Sequence, residues 1–224
     1  MKHLIFSLFA LMFAFSALAQ EQTFEAPNFE VIKKTIQTDT SRFFYPRLLE
    51  RYQAMDSSLN ADDYKHLYYG FVFNAGYQPY KVLPEDKQLS DYFKRDELAE
   101  ADYDKIIQLA KVCLKQFPFN INQMKMMAFA YNKKGDSDTS AKLMGQTFDI
   151  IKTIMQSGDG KSEATAYHVI SVGNEYDLLR MLNLQSESQT LIGNCDKLIL
   201  EKNSRGLTEI FFNVEQPLLS LKKK

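Results

Sequence analysis

Apolar residues recur at helical spacing through the first two thirds of the chain. This pattern predicts helices over 29–36 and 46–52. A third helix is predicted over 64–73, where Asn60 and Asp63 have the spacing of a capping pair. The chain therefore begins with a group of short amphipathic helices.

The longest apolar stripes lie in the middle of the chain. One covers 97–117 and ends at Pro118, and another covers 138–156. Before them, the segment 77–94 contains prolines and no regular period, so we expect a long ordered loop there. Together these patterns predict a helical part over 28–157.

The period changes after residue 160. Apolar, β-branched runs over 167–172, 196–201 and 208–214 predict strands, and the turn residues between the last two predict a hairpin. A short helix is predicted over 175–182. The sequence therefore predicts an α+β fold, in which antiparallel helix pairs are followed over 162–219 by a small antiparallel β-sheet with one short helix.

Part of the helical pattern resembles a tetratricopeptide repeat. Tyr103, the small Cys113 and Pro118 match positions in the second helix of one repeat. The positions of the next repeat continue in register at Met124, Met127, Ala128, Tyr131 and Gly135. The match weakens where Thr147 and Lys152 replace an alanine and a proline. The resemblance implies closely packed helix pairs in a short, degenerate form.

Residues 1–19 have the pattern of a secretory signal peptide. A basic start and a short apolar run precede small residues, and cleavage is expected between Ala19 and Gln20. The run is shorter than the roughly 20 residues that span a bilayer, and no cysteine lies near the cleavage site to accept a lipid. We therefore expect an exported protein, periplasmic or secreted, with no membrane span after cleavage.

After cleavage, a flexible N-terminus over 20–27 would precede one compact domain over 28–219, and a basic tail would occupy 220–224. The formal net charge of −1, with mixed signs along the chain, gives no overall field that would attract nucleic acid. The spacings of nucleotide-binding loops, zinc proteases, serine hydrolases and calcium loops do not occur in the sequence. We expect no cofactor, no metal and no nucleic-acid partner.

The chain contains two cysteines, Cys113 and Cys195. In an oxidising compartment an even count favours a disulfide, which could stabilise the fold by about 4 kcal/mol. Cys113 also fits a buried position on a helical stripe, where a thiol packs as a small hydrophobic group. Both alternatives are open from the sequence.

His168, Glu175 and Asp177 form a candidate polar site. A strand end and the start of a helix could bring the imidazole and the two carboxylates into one pocket, as in a hydrolase or a metal site. Acidic residues at these positions are also typical of a helix N-terminus, where they interact favourably with the helix dipole. The pattern therefore allows a hydrolase without requiring one.

Eight of the twelve tyrosines lie between residues 45 and 92. Tyrosine combines an apolar ring with a polar tip, which suits binding surfaces for proteins, peptides or sugars. The candidate binding surface consists of Tyr68, Tyr69, Tyr77, Tyr80 and Tyr92. The alternative is that these rings form the core of the N-terminal helices and fix the loop in place.

Several segments together resemble an exported Bacteroidota family that is classed as domain of unknown function 4919. These segments are 48–52, 63–73, 76–80, 157–160, 167–172, 175–176 and 209–214. The similarity covers about 28–219. It implies no catalytic residue, cofactor or substrate.

Binding is therefore a better hypothesis than catalysis. The first hypothesis is a non-catalytic interaction or scaffold protein of the bacterial envelope, in which a face of the helical part binds a protein partner. The alternative is a small-ligand or glycan-binding protein that uses the tyrosine-rich loop over 77–92. A hydrolase that uses His168 and its acidic neighbours is the third hypothesis.

Overall fold

The structure is a computed structural model that describes residues 24–222. The predicted signal peptide, its Ala19–Gln20 cleavage site, residues 20–23 and the last two lysines of the basic tail lie outside the described residues. The elements, in chain order, are α1 (Phe29–Gln37), α2 (Tyr45–Gln53), α3 (Ala61–Gly70), α4 (Pro84–Phe93), α5 (Glu100–Gln116), α6 (Ile121–Lys133), α7 (Ser137–Met155), β1 (Tyr167–His168), α8 (Val172–Met181), β2 (Ser186–Ile192), β3 (Cys195–Leu200), β4 (Glu209–Asn213) and α9 (Glu215–Leu221). The predicted α+β fold is confirmed.

Local capping explains where the first helices begin. The side chain of Asn28 accepts from the Val31 N–H at 3.1 Å at the start of α1. Asn60 accepts from the Asp63 N–H at 3.2 Å, and Asp63 accepts from the Asn60 N–H at 3.1 Å. This reciprocal capping box confirms the pair predicted at the start of α3.

The prediction of one long loop over 77–94 was wrong in its second half, where α4 forms. Pro84 occupies the first turn of this helix, a position at which the missing N–H costs nothing. The Asp86 carboxylate accepts from the Leu83 N–H at 2.6 Å, and Leu89 is buried in the hydrophobic cluster around α5. A proline that marks a helix start therefore misled the loop prediction.

The helices α4 to α7 pack in sequence order, each against the next. Three residues connect α6 to α7, and Gly135 in this turn has φ of +85°, a conformation that favours glycine. Such a short turn returns the chain antiparallel to the preceding helix.

The C-terminal sheet has the strand order β1-β4-β3-β2. The hairpin of β3 and β4 pairs antiparallel as predicted, and β2 pairs antiparallel with β3 at one edge. At the other edge, β1 pairs with β4 in parallel, so the sheet is mixed. The strand predicted over 167–172 has only two residues, because the Ser171 side chain accepts from the Gly173 N–H and caps α8.

One hydrophobic core joins the helical part to the sheet. It contains Leu48, Tyr68 and Phe119 from the helical part together with Leu198 and Phe212 from the sheet, all fully buried. A second cluster fills the space among α4, α5 and α6. The first cluster holds the two predicted parts together.

The segment 157–160 is the junction between these parts. The Ser157 hydroxyl accepts from the His168 N–H at 2.8 Å, and the N–H groups of Asp159 and Gly160 donate to the Thr165 carbonyl at 2.9 and 2.8 Å. A Cβ on Gly158 would overlap the carbonyl oxygen of Thr165, so only glycine fits there. This segment is therefore a structural turn.

Candidate functional site

Two of the five predicted surface tyrosines, Tyr68 and Tyr69, are fully buried. The Tyr68 hydroxyl donates to the Asn174 side chain at 3.0 Å and accepts from the Ile170 N–H at 3.2 Å. The Tyr69 hydroxyl donates to the His168 carbonyl at 3.2 Å. Because both hydroxyls tie α3 to the segment around β1 and α8, these residues are structural and do not form a binding surface.

Tyr77 and Tyr80 line a cavity of about 710 Å³, which we call the tyrosine cavity. Tyr80 is 43% exposed and Tyr77 is partly buried. Residues of α1, the chain around Phe73 and the end of α9 complete the lining: Lys33, Gln37, Val72, Phe73, Asn74, Ala75, Gln78, Pro79, Lys81, Ser220 and Leu221. A volume of this size lies within the range of small-molecule sites.

The wall of the tyrosine cavity is held in place by hydrogen bonds. Asn74 accepts from the Gly76 N–H at 2.8 Å, and Gln116 donates to the Gly76 carbonyl at 3.0 Å. The Tyr77 hydroxyl donates to the Ile170 carbonyl at 2.8 Å. These contacts fix the loop against α5 and the start of α8, so the cavity wall is preformed.

Tyr92 lies away from the tyrosine cavity, on α4. Its ring packs against the cluster around α5, and the Arg95 guanidinium lies 4.3 Å from the ring centroid. Of the five predicted tyrosines, the structure therefore brings only Tyr77 and Tyr80 together at a surface that a ligand can reach.

None of His168, Glu175 and Asp177 lines the tyrosine cavity, and each has different surroundings. Asp177 is buried and pairs with Arg180 at 2.5 Å, and Asn174 donates to its second oxygen at 3.4 Å. Burial alone lowers the pKa of His168 to about 4, so its imidazole is neutral at pH 7. These surroundings give no support to the hydrolase hypothesis.

Glu175 instead lies beside Asp196, a residue that the sequence did not single out. Glu175 is completely buried, and no N–H or O–H group of the described residues donates to its carboxylate. Burial, followed by the charge of Asp196, raises the pKa of Glu175 to about 9. If Glu175 keeps its proton and directs it toward Asp196, the neutral Glu175 donates a hydrogen bond and the two buried carboxyl groups do not repel each other.

Polar side chains surround this acidic pair. Gln189 donates to Asp196 at 2.6 Å, and the Tyr176 hydroxyl donates to Gln189 at 2.7 Å. Burial raises the pKa of Asp196, while hydrogen bonds from Glu175 and Gln189 oppose that shift. Along the described chain, no three His, Cys, Asp or Glu side chains gather closely enough to hold a metal ion.

Cys113 and Cys195 are both free and buried, so the structure does not form the disulfide considered above. Cys113 packs among the residues of α5, and Cys195 packs with Ala166 and Phe211 beside the sheet. Burial raises the pKa of both thiols, that of Cys113 to about 12. Each thiol therefore packs as a small hydrophobic group.

A second concave surface lies among α2, α5, α6 and α7 and measures about 240 Å³. Its lining is mainly apolar and rich in methionine, and we call it the methionine groove: Tyr52, Met55, Leu114, Pro118, Met124, Met127 and Leu143. Lys111 and Lys115 are the lysines that line it, and both are exposed. None of the helices within 24–222 combines the length and apolar content that a membrane crossing requires.

A family model described as Domain of unknown function (DUF4919) matches residues 30–223. The chain belongs to the DUF4919 family. No curated protein and no solved structure matches it. Both concave surfaces and the acidic pair of this DUF4919 domain lie inside the matched range.

Sequence reasoning missed two features of the DUF4919 domain. Asp196 alternates along β3 with Leu198 and Leu200, so an acid at a position where an apolar residue is usual was the available signal. The methionine groove joins α2 to three helices that follow much later in the chain. No local pattern predicts such a contact.

Proposed function

We propose that this protein is an exported, non-catalytic interaction module of the bacterial envelope that binds a segment of a partner protein in the methionine groove. The observation that carries the proposal is the groove itself, which combines flexible apolar side chains with two exposed lysines. Methionine adapts its shape to different apolar partners. The proposed segment is acidic and carries an apolar anchor side chain.

The arrangement of the helices supports this proposal. Consecutive packing of α4 to α7 accords with the tetratricopeptide-like pattern around Tyr103, Pro118 and Gly135. In helical repeat proteins, stacked helix pairs form extended surfaces for protein segments. Here α4 supplies the helix that the sequence pattern lacked before α5.

The contacts inside the groove favour a partner side chain over a rigid ligand. Gln146 is buried and donates to the Tyr52 carbonyl at 2.6 Å, and the Tyr52 hydroxyl donates to the Pro118 carbonyl at 3.2 Å. These bonds satisfy the polar atoms of the floor. Apart from Gln53 and the two lysines, the remaining lining is apolar, so an apolar side chain is the group that gains most by entering.

The charge at the groove sets the chemistry of the proposed segment. The Lys111 ammonium lies 5.9 Å from the ring centroid of Tyr131, while Lys115 is exposed beside Leu114. Acidic residues on either side of the anchor would pair with these lysines. This attraction would mainly increase the association rate. The proposed envelope location rests on the signal-peptide pattern of residues 1–19, and the proposed Bacteroidota origin rests on the family resemblance of segments such as 63–73.

A cross-linking pull-down from the native envelope tests the proposal by comparing the unmodified protein with variants of changed charge. We expect the double variant Lys111→Glu, Lys115→Glu to capture about tenfold less of a partner than the unmodified protein. The matched control, Lys87→Glu with Lys105→Glu, makes the same charge change on α4 and α5 away from the groove. It should capture the partner normally.

Three further results separate this proposal from its alternatives. Substitution of His168 by Ala should leave partner capture unchanged, because His168 does not contribute to the groove. Equal capture by the groove variant and the unmodified protein would remove the methionine groove as the contact surface. An equal loss of partner capture in both charge variants would show that the partner responds only to the overall charge of the protein.

A further inference from the structure

The charged side chains that line the tyrosine cavity are all positive. Lys33 and Lys81 are the charged side chains that line it, and no Asp or Glu of the described residues is among them. Lys222 follows Leu221 directly and is exposed, which adds positive charge beside the cavity. The charged side chains that line the cavity therefore all attract an anion.

Two acidic side chains influence the tyrosine cavity without lining it. The charges of Asp196 and Glu175 act on Tyr80, but both residues are buried and neither lines the cavity. Glu175 carries its proton at neutral pH, since burial and Asp196 raise its pKa to about 9. One buried carboxylate therefore opposes two exposed ammonium groups that line the cavity.

The rest of the lining is suited to a ring. Phe73, Tyr77 and Tyr80 supply aromatic surface, and the Lys33 ammonium lies 5.6 Å from the ring centroid of Phe73. Asn74, Gln37 and Gln78 add amide groups that can hydrogen-bond polar substituents. Small-molecule sites typically combine a mainly apolar wall with a few polar groups of this kind.

We propose that the tyrosine cavity is a binding site for a small organic anion that carries a ring, with the ring against Phe73 and Tyr80 and the acidic group between Lys33 and Lys81. This site is separate from the methionine groove, so it stands or fails independently of the proposed function. Lys81 lines the cavity, and its ammonium donates to the Gln116 side chain at 3.2 Å. The preformed loop wall reduces the ordering that binding requires.

Two dyes with the same ring system isolate the role of charge. The anionic probe is 8-anilinonaphthalene-1-sulfonate, and the neutral one is N-phenyl-1-naphthylamine. We expect the purified protein to bind the sulfonate at one site, with affinity that falls as salt rises. The double variant Lys33→Gln, Lys81→Gln should weaken sulfonate binding about fivefold or more and leave the neutral dye almost unchanged.

Further variants locate the site. Tyr80→Ala should weaken binding of both dyes, because it removes ring contact rather than charge. The control Lys111→Gln with Lys115→Gln changes the methionine groove and should bind both dyes normally. All substituted side chains are exposed, so the fold should be preserved, and circular dichroism checks this.

The outcomes decide the proposal. Displacement of the sulfonate dye by 1-naphthalenesulfonate, but not by decanoate, supports a ring-bearing anion. Displacement by decanoate alone would indicate a ligand with an alkyl chain in place of a ring and would overturn the proposed ligand class. Unchanged sulfonate binding in the Lys33 and Lys81 variant, or loss confined to the Lys111 and Lys115 control, would overturn the site.

Discussion

At the scale of single residues, burial changes the roles that residue type suggested. Tyr68 and Tyr69 have the amphipathic side chains of a binding surface, yet their hydroxyls bond to main-chain and side-chain groups around β1 and α8. Tyr80, with the same side chain, is exposed at a cavity. Sequence alone gives the chemistry of each ring, whereas its role depends on contacts with residues about a hundred positions away.

Glu175 provides a prediction at this scale. Burial, followed by the charge of Asp196, raises the pKa of Glu175 from its ordinary value of 4.5 to about 9, so the folded state holds an extra proton between these values. The free energy of unfolding therefore falls as pH rises through this window, by on the order of 2 to 3 kcal/mol between pH 7 and 9. Glu175→Gln removes the titrating group and should flatten this decline.

Urea denaturation at pH 7, 8 and 9 measures the effect. His168 does not interfere in this range, because its pKa is lowered to about 4 and its contribution changes only below its ordinary value of 6.5. Glu187→Gln makes the same substitution on the exposed strand β2 and should retain the decline of the unmodified protein. Parallel pH curves for Glu175→Gln and the unmodified protein would contradict the assigned protonation.

At the scale of elements, the sequence predicts those whose signals are local. The capping pair at α3, the long stripe of α5 and the β3–β4 hairpin all have such signals, and the structure contains them. Strand β2 was missed because six of its seven residues are exposed, so its sequence shows no buried face. It forms because β3 offers an edge with free hydrogen-bonding groups.

The helix α4 gives a prediction at the element scale. Leu89 is 2% exposed and belongs to the cluster around α5, although α4 was predicted as loop. Leu89→Ala should lower the free energy of unfolding by about 2 to 4 kcal/mol, since it leaves a cavity in that cluster. Ser90→Ala, at the next and exposed position, should change it by less than about 0.5 kcal/mol. Equal effects in denaturation curves would show that α4 is not packed.

At the scale of the whole molecule, the tyrosine hydroxyls and the shared core couple the helical part to the sheet. The Tyr68 ring contacts Phe119 at 5.6 Å between centroids, and its hydroxyl reaches Asn174 on α8. Asn174 in turn donates to the Phe119 carbonyl at 3.1 Å. The two parts, which the sequence separates near residue 160, therefore share one buried network.

This coupling predicts a single unfolding transition. Tyr68→Phe should lower the free energy of unfolding by about 1 to 2 kcal/mol, because Asn174 and the Ile170 N–H lose a buried partner. Hydrogen exchange should report similar opening free energies for amides in α7 and β3, and the substitution should reduce both together. Tyr80→Phe, on an exposed ring, serves as the control and should leave both unchanged. Separate transitions for α7 and β3 would mean that the shared network does not bind the two parts into one cooperative unit.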